Sequence, residues 1–180
     1  MTLTMRRLNR NHRLALFALA SVLALLCARR YAVDERERAD AANMRQAEDL
    51  AARWFAVVAD GKARNHVPAE VSSAIPHAGI LGTEWSEITT TLGSLEAKRT
   101  AANPRFAALM VRLLHDAGVD STKTVGVMLS GSFPSLGVCT LAALQTIGAQ
   151  AVVVTSLGAS SYGANQPGAT WLDMEEWLVR

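Results

Sequence analysis

Cysteine is scarce in this chain, with two in 180 residues. Cys27 lies in an apolar N-terminal stretch and Cys139 in a predicted helix, so a disulfide framework is excluded. There is no C-x-x-C pair and no Cys/His cluster, which removes the usual zinc sites, and no metal or cofactor is expected. The phosphate-cradling signatures G-x-G-x-x-G and Gly-Lys-[Ser/Thr] are missing, as is the nucleophile elbow G-x-S-x-G. Basic residues are also missing where nucleic-acid binding would need them. Six arginines precede residue 34, but from Asp34 onward 12 Lys and Arg face 16 Asp and Glu. A body with an acidic balance and no basic stripe does not track phosphates, so no nucleic-acid partner is expected.

What is present begins with a membrane signal. Leu14 to Ala28 is uncharged and mostly apolar, flanked by Arg6, Arg7, Arg10 and Arg13 before and Arg29 and Arg30 after. As a helix the run spans roughly 22 Å, short of a hydrocarbon core of about 30 Å, and Tyr31, Ala32 and Val33 extend it. The region reads as an uncleaved signal anchor, because Leu26-Cys27-Ala28-Arg29 suits neither signal cleavage nor lipidation. A cleaved signal and a cytosolic chain are the alternatives. The arginine bias puts the N-terminus in the cytoplasm and the body outside the inner membrane, as a single-pass protein.

Asp34 to Gly61 reads as a stalk helix. Asp34 serves as cap, Glu35 and Glu37 sit in its first turn, and Gly61 is its stop. Met44, Ala47, Leu50, Ala51, Trp54, Val57 and Val58 recur at helical spacing. Lys62 to Leu92 is irregular, punctuated by Pro68, Pro76, Gly79 and Gly82; the lone His66 and His77 there read as structural. Thr89 to Thr100 reads as a solvated connection, or else a loop carrying the charges of Glu96, Lys98 and Arg99 to a pocket. A helix then starts at Asn103-Pro104, with Phe106, Leu109, Met110, Leu113 and Ala117 as its core stripe and Gly118 as its end.

Thr124 to Leu129 and the run AQAVVVTS from Ala149 to Ser156 read as buried strands around a helix from Pro134 to Ile147 closed by Gly148. Strand, helix and strand make a parallel crossover, and continuous apolar runs imply a sheet covered on both faces. The expected fold is α/β: an N-terminal transmembrane helix (1–33) and a stalk helix (34–61), followed by a partial doubly wound, mainly parallel sheet domain (62–180). Two strands are few for such a sheet, so either further segments pair with them or the domain is incomplete at its C-terminus. A glycine- and serine-rich loop follows, leading to a helix from Trp171 to Arg180.

In open parallel sheets, ligands sit beyond the carboxyl ends of the strands. Ser130, Gly131 and Ser132 follow one strand; Thr155, Ser156, Ser160 and Ser161 end or follow the other. These seven are the candidate ligand site, suited to a carboxylate or similar anion at a helix start. A tight structural turn would explain the same residues. Ser132 and Ser160 are weak nucleophile candidates, for which His66, His77 or His115 would have to supply the base.

The stretches TTTLGSLEAKRTAANPRFAALMVRLL, SGSFPSLG and SLGASSYGANQPGATWLDME resemble those of the bacterial poly-γ-glutamate system proteins, over roughly Thr83 to Glu176. The resemblance implies a membrane-attached, non-catalytic accessory in synthesis, export or anchoring of the polymer. Its implied partners are the membrane, the polymer and the synthase and export proteins. A serine-dependent hydrolase or transferase on the γ-linked amide is one alternative, and a non-binding scaffold for the synthase is the other.

Overall fold

The structure is a computed structural model that describes residues 10–71 and 74–179, with the side chains of 10–13 and 32–39 also outside the description. The expected roles of Arg6, Arg7, Arg10, Arg13, Asp34, Glu35 and Glu37 therefore fall outside the described groups. The chain divides into two units, Met1–Ala39 and Asp40–Arg180. In the first, Leu14–Tyr31 is a fully exposed helical stretch of 18 residues with mean hydropathy 1.7. It is long and apolar enough to cross a membrane, a property a signal sequence shares.

The expected anchor and stalk are one helix, α1 (Arg10–Arg64), with no break at Asp34 and no stop at Gly61. The part from Asp40 onward belongs to the second unit, and its apolar stripe packs on the rest of that unit. Ala47, Ala51, Phe55 and Val58 are buried in the common core, with Met44, Leu50, Trp54 and Val57 packed beside them. Each large aliphatic or aromatic side chain so buried contributes about 1.5–3 kcal/mol. Gly61 is demanded by a neighbour: a Cβ there would lie 2.3 Å from Cε3 of Trp177.

The second unit continues with a 3-10 turn (Ala78–Ile80), α2 (Leu95–Ala101), α3 (Arg105–Asp116), β1 (Thr124–Ser130), α4 (Pro134–Ile147), β2 (Gln150–Ser156) and α5 (Trp171–Val179). Asn103 Oδ1 accepts from the Arg105 N–H at 3.0 Å, which starts α3. Gly148, at φ +79°, closes α4 in the left-handed region that glycine tolerates. α3 is turned somewhat from its expected orientation: Phe106 and Met110 pack against the core as expected, Ala107 and Val111 are its buried positions, and Leu109, Leu113 and Ala117 are exposed. α3 packs along α4 through Ala107 and Val111, and small residues permit the closer approach.

β1 and β2 pair in parallel, Thr124 with Gln150 through Ser130 with Ser156. α4 covers the face that carries buried Val127. The expectation of two covered faces is not met among the described residues. Met128 is 87 % exposed, and its neighbours Val152 and Val154 on the same face are also exposed. No described element lies over that side, so an apolar run alone overstated the burial. The described residues thus build a mixed α/β unit with a two-stranded parallel sheet.

Gly61→Val should lower unfolding stability by about 1–3 kcal/mol in chemical denaturation of the detergent-solubilised chain, because the new side chain must displace Trp177. Gly126→Ala, whose Cβ meets nothing within 4 Å, should not lower it.

Candidate functional site

The carboxyl ends of the two strands lie side by side, because Ser130 and Ser156 are register partners. The turn after β1 folds onto them. The Gly131 N–H donates to Ser156 Oγ at 3.4 Å, and the Ser132 N–H to Ser130 Oγ at 3.2 Å. The loop after β2 then returns across this edge. The Ser160 N–H donates to Ser132 Oγ at 3.0 Å, and the Ala164 N–H to the Gly131 carbonyl at 2.7 Å. Gly163 allows that closeness, since a Cβ there would lie 2.7 Å from the Gly131 oxygen. Ser130, Gly131, Ser132, Ser156 and Ser160 therefore converge.

Two of the seven candidates point elsewhere. The Ser161 N–H donates to the Thr91 carbonyl at 3.0 Å, and its hydroxyl to the same oxygen at 3.5 Å. Thr155 alternates to the sheet face opposite Ser156.

The cluster also contains a cation. The expected connection from Thr89 to Thr100 is in its second half a helix, α2, started by Ser94 Oγ accepting from the Ala97 N–H at 3.3 Å. Of its charges only Lys98 turns inward; Glu96 and Arg99 stay exposed. Lys98 is 1 % exposed. Its Nζ donates to Ser160 Oγ at 2.8 Å and to the Ser132 carbonyl oxygen, and stands 4.0 Å from the centroid of the Phe133 ring. Burial lowers its pKa from 10.5 to about 8. No carboxylate pairs with it among the described residues. A carbonyl, a hydroxyl and an aromatic face hold it instead.

Neither His77 nor His115 bonds to the serines. His77 stacks edge-on against Phe55, with centroids 5.6 Å apart, and His115 Nδ1 lies 2.7 Å from Asp40 Oδ1. Cys139 is buried with its Sγ 3.8 Å from the Asn103 carbonyl, and burial pushes its pKa to about 12. Among the described residues no group of three or more His, Cys, Asp or Glu could hold a metal ion. An apolar cavity of about 810 Å³, lined by Trp54, Leu141, Leu144, Ala151 and Leu178, lies at the far end of α4 from the serines.

The loop that carries Ser160 is held by buried side chains. Asn165 Oδ1 accepts from the Thr83 N–H at 3.1 Å, and its Nδ2 donates to the Thr83 carbonyl and to Thr89 Oγ1, each at 2.9 Å. Lys62 donates to the Leu81 carbonyl at 2.6 Å and to Gln166 Oε1 at 3.0 Å, while Gln166 Nε2 reaches the Pro68 carbonyl at 2.8 Å. Burial lowers the pKa of Lys62 to about 8 as well. Both lysines could have been found in the sequence. Lys62 continues the stripe of Ala51, Phe55 and Val58, and Lys98 falls in helical register with Leu95, Ala101 and Ala102. Asn165 and Gln166 carry no such signal, because their roles depend on a loop path.

No family model, curated protein or solved structure matches this chain.

Burial disfavours the charged form of Lys62, so the unfolded chain binds that proton more tightly than the folded one between pH of about 8 and 10.5. The stability of the wild type relative to Lys62→Met should therefore rise with pH across that window, by on the order of 3 kcal/mol at most. Urea unfolding at several pH values reads the slope; a flat difference would contradict the assigned cause.

Proposed function

We propose that the chain is a membrane-anchored accessory protein of poly-γ-glutamate synthesis, export or anchoring, and that the Ser130–Ser132 and Ser156–Ser160 edge holds a carboxylate of the polymer. The observation that carries the reading is Lys98, a buried cation beside converging hydroxyls with no carboxylate partner among the described residues. Lys98 donates to Ser160 Oγ, which leaves the Ser160 O–H free to donate outward to an anion. The positive charge behind that hydroxyl strengthens the outward bond. α4 begins at Pro134, two residues beyond Ser132, and adds the positive end of its dipole at the same edge.

The polymer is the ligand that the sequence resemblance implies, and its side chains supply the carboxylates. The acidic balance of the body argues for one local contact per chain rather than a broad electrostatic grip. The N-terminal apolar helix suits attachment to the cell membrane, with the body on the extracytoplasmic side where an exported polymer is met. The β1–α4–β2 crossover is the unit from which a doubly wound, mainly parallel sheet is built, and that finer architecture belongs to the same reading.

Isothermal titration of the full chain in detergent with γ-linked glutamate oligomers, against α-linked oligomers of equal length, tests the assignment. The γ-linked oligomer should bind, and both Lys98→Met and Ser160→Ala should weaken it at least about tenfold, the share of one charge-assisted hydrogen bond. Binding that is absent in the wild type, or unchanged in both variants, would remove the reading.

A further inference from the structure

We infer that Ser160 and Lys98 form a nucleophile–base pair for acyl transfer on an amide or ester carbonyl. The pair is already in contact, Lys98 Nζ to Ser160 Oγ at 2.8 Å, within the reach a general base requires. When Lys98 loses its proton, its lone pair takes the place of one donor. One remaining N–H stays on the Ser132 carbonyl, which fixes the amine, and the Ser160 bond reverses so that Oγ–H donates to Nζ. Serine–lysine pairs are a known variant of the nucleophile–base arrangement.

The surroundings favour a neutral amine. Lys98 is enclosed, and burial brings its pKa to about 8. Among the described residues no charged side chain bonds to it. Residues 89–94, 130–135 and 157–170 carry no Asp, Glu, Lys or Arg. Glu96 and Arg99 lie on the exposed side of α2, and the one titratable group in the loop, Tyr162, interacts with Glu84 and Glu70. The nucleophile is held as firmly as its base. The Ser160 N–H is bound to Ser132 Oγ at 3.0 Å, and its carbonyl accepts from the Gly163 N–H at 2.9 Å. Ser132 is thus a positioning residue. Gly93 packs against the pair: a Cβ there would come within 3.2 Å of Ser160 Oγ, so the close packing calls for glycine.

The step balances within these groups. The Ser160 hydroxyl proton passes to neutral Lys98 as Oγ bonds to the carbonyl carbon. The tetrahedral adduct then collapses with loss of the carbon–nitrogen bond of an amide or the carbon–oxygen bond of an ester, and the Lys98 ammonium returns the proton to the departing amine or alcohol. Water or an amine acceptor releases the acyl group from Ser160. That the substrate is a γ-linked glutamyl amide rests on the reading above; the pair itself does not.

An alkyl fluorophosphonate applied to the full chain in detergent, followed by mass spectrometry of peptides, tests the pair without the polymer. The wild type should be labelled at Ser160, with a rate that rises as pH passes through about 8. Ser160→Ala should abolish the label. Lys98→Arg, which keeps charge and donors but cannot act as base, should slow it at least about 100-fold. Because a variant can misfold, the pH profile of the wild type stands as the second measurement. No label on folded wild type, a label elsewhere, or a pH-independent rate overturns the inference. Labelling at Ser160 without cleavage of the γ-linked polymer supports the pair and rejects that substrate. Oligomer binding without labelling supports the carboxylate site and rejects the pair.

Discussion

Burying an irregular loop requires a partner for every polar backbone group it takes out of water. The segment from Leu157 to Thr170 is that loop, and much of it is buried although it belongs to no helix or strand. Its bonds therefore come from elsewhere. Backbone groups of Thr83, Thr90, Thr91 and Gly131 meet it, as do the side chains of Lys62 and Ser132. The convergence of serines follows from this constraint. Ser160 stands next to Ser132, whose hydroxyl satisfies its N–H at that point.

The same constraint explains why two lysines are inside. A buried amine is costly unless its donors are used, and the carbonyls of Leu81 and Ser132 use them. Lysine brings a long apolar stem and a head that can lose its proton, so it can span from a helix to a loop carbonyl without a counter-ion. At Lys62 the result ties α1 to the loop through Gln166. At Lys98 the amine also touches a hydroxyl at the sheet edge, and the chemistry of that edge depends on it.

Local patterns were legible in the sequence where one element decides its own limits. Pro134 and Gly148 bracket α4 as expected, and the β-branched runs give both strands. Orientation was less legible. α3 offered two apolar faces, and tertiary packing selected the one with Ala107 and Val111 over the one with Leu109 and Leu113. Gly61 looked like a stop because the sequence does not contain Trp177 at the right place in space. The covered second face of the sheet was inferred from apolar content alone, which cannot say what lies above it. For the site, the five converging residues followed from the strand-end rule. For Lys98 the sequence left a solvated connection and a loop carrying charge to a pocket both open, and its place on a helix shows only when its register with Leu95 and Ala101 is followed.

The distance along the chain between bonded partners has a kinetic consequence. Asn165 meets Thr83 across 82 residues, and Gln166 meets Lys62 across 104. Contacts of such long sequence separation must close large loops before they return any energy, so they form slowly. The serine edge is therefore held by contacts that join distant parts of the chain, and it depends on the fold of the whole unit rather than on its own segment.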